Sequence, residues 1–237
     1  MDLGELPAYR MVIQGQYDER FRDAGDEPLR RFHDRSRPYV DRVVAALNLP
    51  DEGSFLDIGC GTGLASLAVA RARPNFRVTG IDLSDTALEL ARRLAKEQGA
   101  ERVNYQAGEA EAPPTGPWDR ATVLSVFNLL SDKRGALEAW RRVLHPRGRL
   151  VLTDAFTTGA STRGVGPLSE PAFLRLLNQT GWRMAHREDI TRLVTRLNAE
   201  GGWFWSEYLR PGYRYLLVAI EPVPGFRGPG TAPGSTS

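Results

Sequence analysis

The 237-residue chain has a single cysteine, Cys60, which excludes an internal disulfide and suits a reducing compartment such as the cytoplasm. It has no run of about 18 apolar residues, so no transmembrane helix is expected. The opening MDLGELPAYR lacks a basic flank followed by an apolar stretch, which argues against a secretory signal. Lysine is nearly absent, at Lys96 and Lys133 only, so 29 of the 31 basic residues are arginine. The formal net charge of +2 gives no nucleic-acid bias, and the densest basic stretch, Arg30 to Arg37, also carries Asp34 and reads as a solvated helix face. The three histidines are scattered, so no metal constellation forms, and GxSxG is missing. No repeat is visible.

What is present alternates. Apolar residues at Leu29, Phe32, Tyr39, Val40, Val43, Val44 and Leu47 mark one helical face between Glu27 and Leu47, split by Pro38. Strands are expected at Ser54 to Ile58, Phe76 to Ile81, Val103 to Gln106, Asp119 to Leu124, Arg149 to Thr153, Trp182 to Ile190 and Tyr213 to Ile220. Helices fall between them at Leu64 to Arg73, after Ser84 to about Gln98, at Ala136 to Leu144 and at Ser169 to Gln179. An irregular, aromatic-rich piece is expected before the last strand, and a disordered Pro/Gly/Ser-rich tail from Pro222 to Ser237. This pattern predicts an α/β class: a doubly wound, Rossmann-like, mostly parallel seven-stranded sheet with an antiparallel last strand.

The first strand runs into Gly59-Cys60-Gly61-Thr62-Gly63, a turn whose bare glycines let backbone amides and a helix N-terminus face a ligand. Its spacing is GxGxG, unlike the GxGxxG of dinucleotide binders, and alone it is weak evidence. Asp82 ends the next strand 23 residues after Gly59, where a carboxylate can accept both ribose hydroxyl protons. Asp57, near the end of the first strand, is placed to fix the turn and meet a cationic ligand tail. Two acids around three glycines point to a nucleoside.

These residues carry a resemblance to class I S-adenosylmethionine-dependent methyltransferases, in the small-molecule branch that includes quinone-ring and natural-product enzymes. LDIGCGTG (Leu56 to Gly63) is similar to the family's first motif and VTGIDLS (Val78 to Ser84) to its second. GEAEAPP (Gly108 to Pro114) resembles its adenine-side motif, WDRATVLSVFNLL (Trp118 to Leu130) its fourth-strand segment, and RVLHPRGRLVLTD (Arg142 to Asp154) its RVLKPGGRL. The likeness runs in order over roughly residues 50 to 190. It implies S-adenosyl-L-methionine as cofactor, with Gly59, Gly61 and Gly63 lining its methionine and ribose portion. It further implies Asp82 on the ribose, Leu83, Glu109 and Ala110 around adenine, and Leu124 and Ser125 facing the methionine amino group. Glu109 replaces the usual Asp, Asn128 a frequent histidine, and Arg147 a glycine.

Ligands of open α/β sheets bind at the C-terminal ends of the strands. That rule sets His145 at the wrong edge and His186 in a strand. It leaves His33 and Asp154 as catalytic candidates and Asn128 and Phe156 as substrate contacts. Domains are expected as an N-terminal helical cap over 1–48, a cofactor-binding domain over 49–221 with lid segments at about 155–168 and 191–212, and the tail. The crowded Trp203, Phe204, Trp205, Tyr208, Tyr213 and Tyr215, whose rings either cover the sheet edge or roof an apolar pocket, suggest an aromatic or lipophilic acceptor. The expectation is an enzyme that methylates a small molecule, as monomer or homodimer, with no nucleic-acid or membrane partner. Alternatives on the same fold are a non-methylating cyclase or ligand sensor, an NAD-dependent oxidoreductase and an RNA methyltransferase.

Overall fold

A computed structural model describes residues 26–161, 165–200 and 208–226, with Gly15, Asp18 and Glu19. Trp203, Phe204 and Trp205 lie outside the described residues, as do 1–14 and 227–237.

The order is α1 (Asp26–Arg35), α2 (Arg37–Leu47), β1 (Gly53–Ile58), α3 (Leu64–Ala72), β2 (Phe76–Asp82), α4 (Asp85–Glu97), β3 (Asn104–Ala107) and β4 (Trp118–Leu124). A 3-10 turn at Phe127–Leu129 leads to α5 (Lys133–Val143), β5 (Leu144–Thr157), α6 (Glu170–Gln179), β6 (Trp182–Asp189), α7 (Thr191–Ala199) and β7 (Tyr213–Pro222). The strands form one sheet in the order β3-β2-β1-β4-β5-β7-β6. The first five pair in parallel, whereas β7 is antiparallel to both β5 and β6. The predicted mostly parallel, doubly wound sheet is the one observed.

Side chains alternate across each strand, so the sheet has two buried faces. On one, Phe55, Val78, Tyr105, Val151 and Tyr215 pack with residues of α1 to α4 and α7. On the other, Leu56, Ile81, Trp118, Leu150 and Leu152 meet α5 and α6 through Trp140, Phe173 and Leu177. Changing direction at Asp82 and at Gly59 leaves the C-terminal ends of β1, β2, β4 and β5 along one edge.

Several boundaries differ from expectation, each for a local reason. The stretch does split into two helices, with the break at Ser36, because Pro38 fits the first turn of α2 and has no N–H to donate back to α1. Helix α5 starts at Lys133, three residues early, since Asp132 caps it by accepting from the Gly135 N–H at 2.8 Å. Strand β5 runs from Leu144 to Thr157, because Trp118 pairs with Leu144 across a bulge and Thr157 with Tyr213. The expected lid at 155 therefore begins as strand. Thr191–Ala199 is a helix where an irregular piece was expected; Ile190, Val194 and Leu197 are its buried stripe. Pro222 is the last residue of β7, and the Val223 N–H donates to the Gly181 carbonyl at 2.8 Å. The Arg141 guanidinium lies 5.2 Å from the Phe226 ring centre. The expected tail is thus packed as far as Phe226.

Candidate cofactor and substrate site

Gly59, Gly61 and Gly63 all take left-handed backbone, with φ of 67°, 52° and 83°. A side chain is barred at two of them by packing as well as by strain. A Cβ on Gly59 would stand 2.4 Å from Val126 Cγ2, and one on Gly63 would stand 2.3 Å from the Tyr105 hydroxyl. The loop is thus pressed between the turn after β4 and the ring of Tyr105 on β3.

The two motif acids take different roles. Asp57 is buried beneath the loop, where one oxygen accepts from the Ser66 N–H (3.0 Å) and Ser66 hydroxyl (2.7 Å), and the other from the Thr122 hydroxyl (2.6 Å). It ties β1 to α3 and β4. Burial pushes its carboxyl pKa up, and these hydrogen bonds oppose the shift. The expected contact with a cationic ligand tail is not its arrangement here; the predicted turn-fixing is.

Asp82 sits half-buried at the sheet edge. One oxygen accepts from the Gly61 N–H at 2.8 Å and the other from the Ser84 N–H at 2.9 Å. Each oxygen keeps lone-pair capacity, since a carboxylate has about four acceptor positions. Burial raises its pKa, and the Ser84 and Gly61 amides counter that. Leu83 follows, half-buried, and Ser84 accepts from the Ala87 N–H to cap α4. Asp18 also hydrogen-bonds the Ser84 hydroxyl, which brings an N-terminal residue beside Leu83.

Glu109 and Ala110 follow β3 and Gly108, whose N–H donates to the Asp82 carbonyl at 3.0 Å. Both are half-buried, and the Ala110 carbonyl accepts from Trp140 Nε1 at 2.7 Å, anchoring the segment to α5. Leu124 ends β4 and Ser125 follows it, both half-buried, and the next residue, Val126, lies against Gly59. The predicted cofactor residues other than Asp57 therefore converge on one edge.

The catalytic and substrate candidates fare differently. His33 on α1 is buried, with Nε2 hydrogen-bonded to the Thr62 hydroxyl at 2.9 Å. Burial, reinforced by the Arg71 charge, lowers its pKa to about 4. A neutral ring of such low basicity makes a poor general base near pH 7, and its evident role is to fasten α1 to the loop. Asp154 accepts from the Asn128 N–H (2.9 Å), Asn128 Nδ2 (2.8 Å) and its neighbour's N–H, and burial pushes its pKa up to about 7. Asn128 is itself buried, donating also to the Ala155 carbonyl at 2.9 Å. This pair holds the turn after β4 to β5; neither side chain faces the edge. Phe156 is a core residue, its ring 5.0 Å from that of Phe173. His186 is exposed on β6, and His145 lies at the start of β5, away from the glycine loop.

Sequence reasoning missed the residues that brace this edge. Tyr39 on α2 meets the Thr153 hydroxyl at 2.5 Å, and Tyr215 on β7 meets the Ser125 hydroxyl at 2.9 Å. The sequence places Tyr39 on an apolar helical face and Tyr215 among rings that cover the sheet edge or roof a pocket; the fold buries both, against Thr153 and Ser125. Lys133, also buried, donates to the Leu130 carbonyl at 2.9 Å, and burial lowers its pKa to about 8. Among the described residues there is no cluster of His, Cys, Asp and Glu able to hold a metal ion, and no helix is long and apolar enough to cross a membrane.

The sheet order and the glycine loop with its paired acids define a Rossmann-like nucleoside-binding domain of the methyltransferase class. Residues 50–167, 118 of the 237, match the methyltransferase-domain family. A ubiquinone biosynthesis O-methyltransferase of Caulobacter vibrioides is 31% identical over 193 residues, covering 80% of this chain and 66% of its own length. One from Xanthomonas oryzae pv. oryzae is 32% identical over 139 residues, 57% of this chain and 56% of the relative. The chain thus spans less than two thirds of the curated relatives it matches. Among solved structures, the [4+2]-cyclase SpnF superposes with a TM-score of 0.66 at 23% identity, over 78% of this chain and 81% of that one. Geranyl diphosphate C-methyltransferase from Streptomyces coelicolor A3(2), in a complex that includes S-adenosyl-L-homocysteine, gives 0.67 at 18% identity over 78% of this chain and 79% of that one. These likenesses show the fold.

Proposed function

We propose that this chain is an S-adenosylmethionine-dependent methyltransferase acting on a small, aromatic or lipophilic molecule. The observation that carries the reading is Asp82 held at the edge by the Gly61 and Ser84 amides, beside three left-handed glycines. The names of the curated relatives favour a hydroxyl as the acceptor.

When bound, S-adenosylmethionine supplies a sulfonium-activated methyl group. The protein's work is then to bind, orient and exclude water. Asp82 accepts the ribose hydroxyl protons, Leu83 and the Glu109–Ala110 segment bound the adenine, and the Leu124–Ser125 turn takes the methionine amine. Alignment of acceptor and methyl can supply on the order of 7 to 11 kcal/mol of the barrier; a hydroxyl acceptor also gives up its proton, to water or to a base that would speed the step by about a hundredfold or more. Helix α1, fastened by His33, together with the segments after β5 and before β7, encloses the acceptor. In this reading residues 26–48 act as the cap, and 158–161, 165–168 and 208–212 as the lids.

Titration calorimetry with S-adenosylmethionine and S-adenosylhomocysteine tests the cofactor; no heat of binding from the folded protein overturns the proposal. Incubation of phenolic and prenylated quinone-like acceptors with methyl-labelled cofactor tests the transfer. Tight cofactor binding with no label moved to any such acceptor would favour a non-methylating cyclase or sensor on this fold.

A further inference from the structure

Ser125, the first residue past β4, has φ +58°. It is one of two non-glycine residues with left-handed backbone among those described; the other, Asn48, ends α2. Serine resists this conformation because its Cβ crowds the following carbonyl, so surrounding structure must impose it. Three elements do. The Ser125 N–H donates to the Thr153 carbonyl on β5 at 2.8 Å. Its hydroxyl meets the Tyr215 hydroxyl on β7 at 2.9 Å. Tyr39 of α2 meets Thr153 Oγ1 at 2.5 Å, on the same residue whose carbonyl accepts from the Ser125 N–H. Both tyrosines are buried, so these phenols exchange protein partners for no water. The next residue, Val126, fills the space over the bend at Gly59. Turn and glycine loop are therefore set against each other.

We propose that Tyr39 and Tyr215 are positioning residues that hold the Ser125 turn in its left-handed form, so that seating α2 on the sheet is a condition for tight cofactor binding. The proposal rests on the reading that this edge binds S-adenosylmethionine. A purely structural role would spend the same hydrogen bonds on stability and leave the affinity of the folded protein alone.

The test measures S-adenosylhomocysteine affinity by calorimetry, with thermal midpoints alongside, for Tyr39→Phe, Tyr215→Phe, Ser125→Ala and Ser125→Gly. The phenylalanine variants keep the rings and should each weaken binding by about five- to tenfold, the scale of one hydrogen bond. Ser125→Ala and Ser125→Gly both lack the hydroxyl, but glycine takes positive φ freely. Ser125→Gly should therefore bind several-fold tighter than Ser125→Ala, and should restore part of the affinity lost in Tyr39→Phe. Lowered midpoints with wild-type affinity in both phenylalanine variants overturn the proposal. Equal affinity of Ser125→Ala and Ser125→Gly overturns it too, and decides the matter alone should Tyr39→Phe fold poorly. Wild-type protein that binds no S-adenosylhomocysteine instead removes the functional reading beneath it.

Discussion

His33 Nε2 and Thr62 Oγ1 lie 2.9 Å apart, joining the first described helix to the middle of the glycine loop across 29 residues of sequence. That contact makes the loop's order depend on the protonation of one ring. Lowered to about 4, the folded pKa sits below the ordinary 6.5. As pH falls through 6.5 the unfolded chain takes the proton first, so stability is lost between there and about 4 and is full above 6.5. The loss should reach about 3 kcal/mol across that window. Asp154, pushed up to about 7, contributes the opposite slope. His33→Gln keeps that slope, so the stability difference between wild type and His33→Gln isolates the histidine. Urea unfolding from pH 7.5 to 4.5 should show that difference shrink as pH falls; a constant difference refutes the account.

Asp82→Ala should weaken S-adenosylmethionine binding by about 2 kcal/mol, roughly thirtyfold, because hydrogen bonds to a charged acceptor are strong. It also frees the Gly61 and Ser84 amides. Calorimetric affinity equal to wild type would take Asp82 out of the site.

Asp57→Ala should act on stability. It leaves Ser66 and Thr122 without their buried acceptor, a cost of about 3 kcal/mol. Chemical denaturation measures it, and a loss below about 1 kcal/mol would show that Asp57 does not tie the loop down.

Gly59→Ala meets both a left-handed backbone and Val126 Cγ2 at 2.4 Å. A destabilisation of roughly 2 to 4 kcal/mol is expected from strain plus overlap. Shortening the neighbour in a Gly59→Ala/Val126→Ala double variant should relieve the overlap, so the two costs add to less than their sum by about 1 kcal/mol. Strict additivity in thermal or urea unfolding would place the penalty in the backbone alone.

Phe156→Ala should cost about 3 to 5 kcal/mol of stability as a core truncation. The Michaelis constant for any acceptor found should stay within about twofold, since the ring packs on Phe173. A large rise in that constant at unchanged stability would return Phe156 to the substrate.

The loop and Asp82 were readable because their demands are local: left-handed bends need glycine, and a strand-end acid needs only its own strand. Phe156 was misplaced for want of a parity check. It shares its number parity on β5 with Leu150 and Leu152, which face α5 and α6, so alternation alone assigns it to that core. Asp154 has the same parity and meets Asn128 there. Helix α7 announced itself in the spacing of Ile190, Val194 and Leu197, obscured by the aromatic residues that follow. No local pattern, by contrast, pairs Tyr39 with Thr153 or Ser125 with Tyr215. Those bonds span 114 and 90 residues; the first exists only once α2 has packed on β5, the second only once β7 has been laid beside β5.

The far end of β5 has one more consequence. The Thr157 N–H donates to the Leu168 carbonyl, and the Thr158 N–H to the Gly212 carbonyl. Leu168 and Gly212, 44 residues apart in sequence, are therefore both anchored to adjacent peptide units at the end of β5.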